Sequence, residues 1–487
     1  MWLSRGLAFV SITAAVLSAC TGLKQADPPS DTDASLPADD AATTPPPDGP
    51  ELSPKDAESP KDSSTDATDA SPVLPDSPAD TACAITTDAW AKPTKSAACS
   101  DRKVFLLESW TTSTLPFFAR SVSIARAKTG RVGIAVNGET SIEEGSLRIR
   151  TFTPTTATFS TVLTKIDPLP FENVGAAVRM AAGNDDTFHL VYQRDTSQEG
   201  GPVVYRKLPA NNTFTMETQF ASVGHGTKLD ISVSPTTSDV AVSYFTPPTA
   251  TVAGKIESVL RPDATQTFGA PSIVQGSFAK DGVLGSGEHV LRYDQSGGAR
   301  IAFHLSQTFS SANPKFAELA GTWRAPKTID NASLNGMAGY SLGLALFGQR
   351  KSAAYFFRKT GTTTAELRIG TWTLENDMVD IDTRDLGVLS PDPTNPQYSL
   401  ALGVDGLGLL HLAYTRPTSS TKCSLVYARQ TRKAGVVKWL EDGIAADLPC
   451  EDTAGVVLSM VVDDKGRPHI AYVVAAVGVL YATRFDR

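Results

Sequence analysis

His189, His411 and His469 recur at one position of a repeated apolar strand. A recurring imidazole could ligate a metal or move a proton. Metal coordination needs nitrogen atoms converging within about 2 Å of one ion, whereas repeats hold equivalent residues apart. These histidines are therefore expected at packing positions, bonded to a neighbouring repeat, and no metal or other cofactor is expected. Arg126, Arg179 and Arg292 stand near the ends of apolar strands. A guanidinium fork there could clamp a carboxylate. Tyr293, beside Arg292, is the accompanying phenol. The three arginines do not keep one register relative to the turns that follow them, and spacing reveals no acid/base carboxylate. They are candidates for ligand contact rather than a catalytic set. The Gly-rich stretches 282–287 and 403–408 do not precede a helix, so they read as hairpin turns rather than phosphate cradles. The G-x-S-x-G match at Gly339 to Gly343 leads into the apolar strand from Ser341 to Leu346 rather than a helix, so it is not a nucleophile elbow. Trp323, Trp372 and Trp439 fall in third or outer strands, where sheet packing accounts for them.

Of the five cysteines, Cys20 stands apart. Cys83, Cys99, Cys423 and Cys450 form an even set that suggests disulfides in an exported protein, with three pairings open. The nearest-neighbour set, Cys83 with Cys99 and Cys423 with Cys450, is preferred. None of the spacings is C-x-x-C, which argues against a zinc site.

The elements that must position these residues begin after a long lead. Arg5, an apolar run from Leu7 to Leu17 and small residues up to Ala19 read as an export signal over 1–19. The run is too short for a typical span of about 20 residues. Residues 20–82 change character: positions 21–82 hold twelve prolines, no aromatic residue, and fourteen Asp or Glu against three Lys. Such a segment buries too little apolar surface to offset its ordering entropy and is expected to be an extended tether. The chain carries −8 overall, the tether −11 and Arg5 +1, so residues 83–487 are left at about +2. A nearly neutral domain offers no electrostatic case for nucleic acid.

After a lead-in at 83–102, residues 103–487 are built from one pattern repeated seven times: an apolar strand, a Gly/Asp/Ser-rich turn, and a second strand ending near Tyr or Phe. The clearest copies are Asp463 to Tyr472 and Asp405 to Tyr414. Successive turns lie roughly 52 to 60 residues apart. A third strand of alternating polarity follows in most units, and a weaker fourth. Four short strands at this period predict an all-β, seven-bladed β-propeller, with six or eight blades if one weak unit is misread. The seventh unit has only three strands, and Lys103 to Leu107 is an orphan before the first. That strand is expected to complete the last blade and close the ring.

Two resemblances add to this. The tetrad Leu17-Ser18-Ala19-Cys20 resembles the bacterial lipoprotein lipobox. That resemblance implies that Cys20 carries the acyl chains, and Thr21 after it weakly implies the outer membrane or cell surface. The D-x-G-x-P-H-I-A-Y pattern resembles repeats of bacterial extracytoplasmic β-propeller proteins and implies the fold without a catalytic assignment. The expectation is a monomeric, lipid-anchored envelope propeller that binds a protein or glycan. The alternatives are a sialidase-like or lyase-like enzyme acting at the channel mouth, with Tyr293 among its groups, and a purely structural envelope component. The sialidase Asp-box is absent.

Overall fold

The computed structural model describes residues 102–109 and most of 121–484; residues 1–101, 110–120 and 485–487, with several connections between strands, lie outside the described residues. Cys20, Cys83, Cys99 and Cys450 are among those outside, as are the glycines of 282–287. The described residues form strands and turns without a helix, so none of them belongs to a helix long and apolar enough to cross a membrane.

Seven inner strands stand side by side around a central channel: Val122–Arg126, Asn173–Ala182, Leu229–Val233, His289–Tyr293, Gly336–Phe347, Leu400–Val404 and Val457–Val462, the last of them neighbouring the first. Each pairs antiparallel with the strand that follows it and begins one blade of a seven-bladed β-propeller. The second strands show why the sequence folds this way. Pro468–Val474 is buried at every position, because a strand in the middle of a blade is covered on both faces by the neighbouring blades. The apolar cores accordingly lie between blades. One such core joins Val122, Ile124 and Phe152 of the first blade to Ala471, Val473 and Tyr481 of the seventh.

The turn from inner to second strand follows from the recurrent Asp and Gly. In Asp463-Asp464-Lys465-Gly466-Arg467, the Asp463 amide donates to the Arg467 carbonyl and the Gly466 amide to the Asp463 carbonyl. Gly466 takes a φ of 74° and Gly408, its counterpart, 76°, a left-handed conformation that glycine adopts without penalty. The Asp side chain caps the loop: Oδ1 of Asp463 accepts from the Lys465 and Arg467 amides at 3.0 and 2.8 Å, and Oδ1 of Asp405 from Leu407 and Leu409 at 2.9 and 2.8 Å. The fifth blade lacks the Asp and turns more tightly, over Gly348 and Gln349 between Phe347 and Arg350.

The ring closes through its two ends. Arg102–Ser109 pairs antiparallel with Gly478–Arg484, with Arg102 opposite Arg484 and Val104 opposite Ala482, and forms the outer strand of the seventh blade. Arg102 therefore lies at the end of the propeller that carries the inner-strand turns.

Each inner strand presents one backbone edge to the channel, and its amides need acceptors. Short oxygen-bearing side chains supply them across blade boundaries. Ser121 Oγ and Ser123 Oγ accept from the Val178 and Met180 amides, both at 2.9 Å. Asp230 Oδ2 accepts from Leu291 at 2.8 Å and Ser232 Oγ from Tyr293 at 3.0 Å. Ser341 and Ser459 serve Leu400 and Ile124 in the same way. In blades one, three and seven the acceptor stands one residue farther from the turn than the amide it receives.

Removing such an acceptor leaves a buried amide unsatisfied, at about 1–3 kcal/mol. Ser123→Ala is expected to destabilise the fold by an amount in that range. Asp230→Ala, which also strands Arg292, is expected to do so by more; urea unfolding midpoints at constant slope check both.

Candidate functional site

The recurrent histidines form a side-chain relay within their own blades. His411 Nδ1 shares a hydrogen bond of 2.5 Å with Tyr427 Oη, and its Nε2 lies 3.3 Å from Asp405 Oδ2. The carboxylate fixes Nε2 as the donor, so Nδ1 accepts the phenol proton. His469 repeats the Tyr contact with Tyr481 at 2.6 Å, while its Nε2 stands 3.9 Å from Asp463, an ionic rather than hydrogen-bonding distance. His189 bonds Tyr205 at 2.7 Å. Its turn has Gly183 at the Asp position, and a Cβ there would come within 2.8 Å of His189 Nε2; Asp185 from the same turn supplies the nearby charge. The expected bond to a neighbouring blade is thus corrected: the partners are the same blade's turn and third strand. Strand register explains the tyrosine. His411 pairs with Arg429 and His469 with Thr483, and the tyrosine lies two residues before that partner, on the same face of the sheet.

His189 and His469 are buried and neutral. Burial, with Lys207 and Arg261 outweighing Asp185, lowers His189 to about 3. Burial lowers His469 as well, against the pull of Asp463. Asp463 is held far below the ordinary carboxylate range: burial alone would raise it, but the facing His469 and the hydrogen bonds from Arg467 win. Among the described residues no group of His, Cys, Asp or Glu is placed to hold a metal ion.

The arginine candidates occupy three levels of the channel wall. Arg126 is the last paired residue of its inner strand, Arg292 the next to last of its own, and Arg179 stands higher. Arg126 faces Asp463 at 3.7 Å. Arg179 donates to the Val178 carbonyl at 2.9 Å and approaches Ser121. Arg292 donates to Asp230 Oδ2 at 2.8 Å and to the Leu291 carbonyl at 2.6 Å. Arg126 is thus engaged at the boundary of blades seven and one, and Arg292 at that of blades three and four. Burial and the nearby Asp239 push the Tyr293 phenol well above its ordinary value.

Sequence reading missed the charges that surround Arg179 and Arg292. Lys228 and Glu288 stand just before the inner strands of blades three and four and pair at 3.0 Å. Burial would raise the Glu288 carboxyl, but Lys228, Arg179 and His289 hold it below the ordinary range. With Asp230 this makes a mixed charge cluster contributed by three consecutive blades at the channel wall. Inner-strand level, counted from the turn, was the signal that could have found it. A second set escaped notice: the tyrosines that end the second strands reach carboxylates, as Tyr355 reaches Asp330 at 2.7 Å and Tyr414 reaches Glu441 at 2.9 Å. Arg368 and Arg416 close the two groups by bonding Asp330 and Glu441. Burial and those carboxylates push both phenols up, so they act as donors.

Cys423 is disulfide-bonded, and its strand pairs Lys422 with Pro449 and itself with Leu448.

This architecture is that of a seven-bladed β-propeller. No protein-family profile matches the sequence, and no curated protein matches it either. Solved structures share the general shape at low identity. AofleA from Arthrobotrys oligospora is 11% identical with a TM-score of 0.40, over 72% of this chain and 91% of that one. The polysaccharide lyase Uly1 is 9% identical with a TM-score of 0.45, over 75% and 89%. The Penicillium chrysogenum α-L-arabinanase complexed with arabinobiose is 10% identical with a TM-score of 0.44, over 63% and 92%.

Two outcomes follow from the buried groups. His189 takes up its proton in the unfolded chain near pH 6.5 but in the fold only near 3. Its contribution is whole above about 6.5 and drains as the pH falls towards 3, at up to about 1.4 kcal/mol per pH unit. Urea titrations between pH 7 and pH 4 should show this loss, and His189→Gln should flatten it. Tyr472 is fully buried with no hydrogen-bond partner for its hydroxyl. Tyr472→Phe is expected to be neutral or stabilising, while Tyr414→Phe should cost about 1 kcal/mol by removing the hydrogen bond to Glu441; the same unfolding assay separates them.

Proposed function

We propose that this chain is a lipid-anchored, extracytoplasmic propeller that binds a protein or glycan through the end of the ring opposite its inner-strand turns. The observation that carries this reading is the position of the closing strand. Arg102 pairs with Arg484 at the turn end, so the chain that precedes it departs from that end. The connections from one blade to the next cross the other end, as from Phe278 to His289 and from Val388 to Leu400. Loops of that kind vary without disturbing a rigid scaffold and so make binding sites. Lys228 and Glu288 stand at that same end. In this reading Cys20 carries the lipid, 20–82 is the spacer, and the outer membrane or cell surface is the location. A sialidase-like reaction would need a free phenolate and convergent arginines. The raised Tyr293 and the separate engagements of Arg126 and Arg292 favour binding instead.

The full chain, displayed against a glycan array and envelope extracts, is expected to capture one ligand class. Lys228→Glu combined with Lys422→Glu, both at the loop end, should weaken that capture about tenfold, and Lys128→Glu at the turn end should not. Equal capture by all three proteins would refute the loop-end site. A Cys20→Ala chain that stays with the membrane fraction would refute the anchor.

A further inference from the structure

The turn end of the propeller is electrically lopsided. In blades two to four its turns carry Asp185, Asp186, Asp239 and Asp263 against Lys207, while Asp294 caps its own turn and is paired with Arg300. In blades six, seven and one the same end carries Arg432, Lys438, Lys465, Arg467, Lys128 and Arg131, with Arg432, Lys438, Lys465 and Lys128 exposed. The two turn-capping carboxylates of that sector, Asp405 and Asp463, are buried and point into their own loops, which leaves Asp464 as the exposed acid of its turns. Asp380 and Asp382 on the outer strand of blade five bound the patch.

Apolar groups break the surface in the same sector. Leu407, at the tip of the sixth turn, is 53% exposed, and Val437, near the start of that blade's outer strand, is 44% exposed. Val437 pairs with Arg432, which puts it at the turn end too. Nothing in the turn geometry requires Leu407: its backbone amide caps onto Asp405 whatever its side chain. Exposed aliphatic tips rimmed by lysine and arginine suit an interface where apolar groups enter below a layer of phosphates. The sector also contains the closing strand's first residue, Arg102, opposite Arg484 of blade seven.

We infer that the turn end of blades six, seven and one is a membrane-docking surface that takes anionic, phosphate-bearing lipid headgroups, with Leu407 and Val437 entering the interface. This rests on the anchored reading above and adds an orientation to it. The acidic turns of blades two to four are repelled by the same surface, so the ring tilts with blades six, seven and one towards the lipid.

The lipidated full chain is reconstituted on vesicles of phosphatidylcholine alone or of phosphatidylcholine with phosphatidylglycerol, and lysines are labelled with an amine-reactive reagent. On the anionic vesicles Lys128, Lys438 and Lys465 should label roughly fivefold more slowly than on the neutral ones. Lys422, at the loop end of blade six, should label equally on both. About 1 M salt should abolish the difference, and Leu407→Ser with Lys465→Glu should abolish the protection of Lys128. Protein that fails to stay on neutral vesicles defeats the anchor. Protein that stays, with all four lysines labelling alike on both vesicles or with protection that survives high salt, defeats the docking surface. An acidic glycan as the true occupant would give that same absence of protection by vesicles.

Discussion

A propeller has to satisfy the bare backbone edge of seven inner strands at once. Each blade hides its faces against its neighbours, but its innermost edge meets the channel with no further strand to pair. In this chain the amides of that edge are met by side chains of the preceding blade: Ser121, Ser123, Asp230, Ser232, Ser341 and Ser459. A serine hydroxyl or an aspartate oxygen is short enough to reach across and small enough to let the strands approach. Close approach is also why glycine stands at Gly343 and Gly403, where a Cβ would come within 2.7 Å of Leu402 or Val462. Polar stitching along the channel and apolar packing between the blades therefore set the same spacing.

The turn, the histidine and the tyrosine form a second, local system. Asp405 and Asp463 each use one oxygen to cap backbone amides and the other to face an imidazole. The imidazole then holds a phenol from the third strand. Turn conformation, second strand and third strand are fixed by one chain of polar contacts in an otherwise apolar blade. Such a network needs every member satisfied, and the Gly183 turn shows a workable variant, in which the carboxylate comes from Asp185 instead.

Most of the ring was legible because its signals are local. Asp463 caps, Gly466 turns, Ile470 and Ala471 pack, and Tyr472 seals the far end, all within one short stretch. The orphan strand could be placed because the last unit visibly lacked a partner. The contacts that make the candidate site were not legible, for a physical reason. Glu288 meets Lys228 and Arg179 only after three blades have been set side by side; Lys228 and Glu288 share one level counted from the turn, and that match means a contact only once neighbouring blades are known. The same holds for Tyr427 beside His411. Their separation depends on how long the connection between second and third strands is, and that length varies freely between blades.

The closing strand also has a mechanical side. Load applied through the residues before Arg102 acts along a strand laid antiparallel against Gly478–Arg484. Pulled lengthwise, its backbone bonds share the load in shear; pulled sideways, they would open one after another from Arg102. The same pairing delays completion of the fold, since its two partners are nearly the whole domain apart in sequence and the ring cannot shut until the last strand exists. Among the described residues the first strand to be made is the last to be used, and once in place it is the latch that closes the ring.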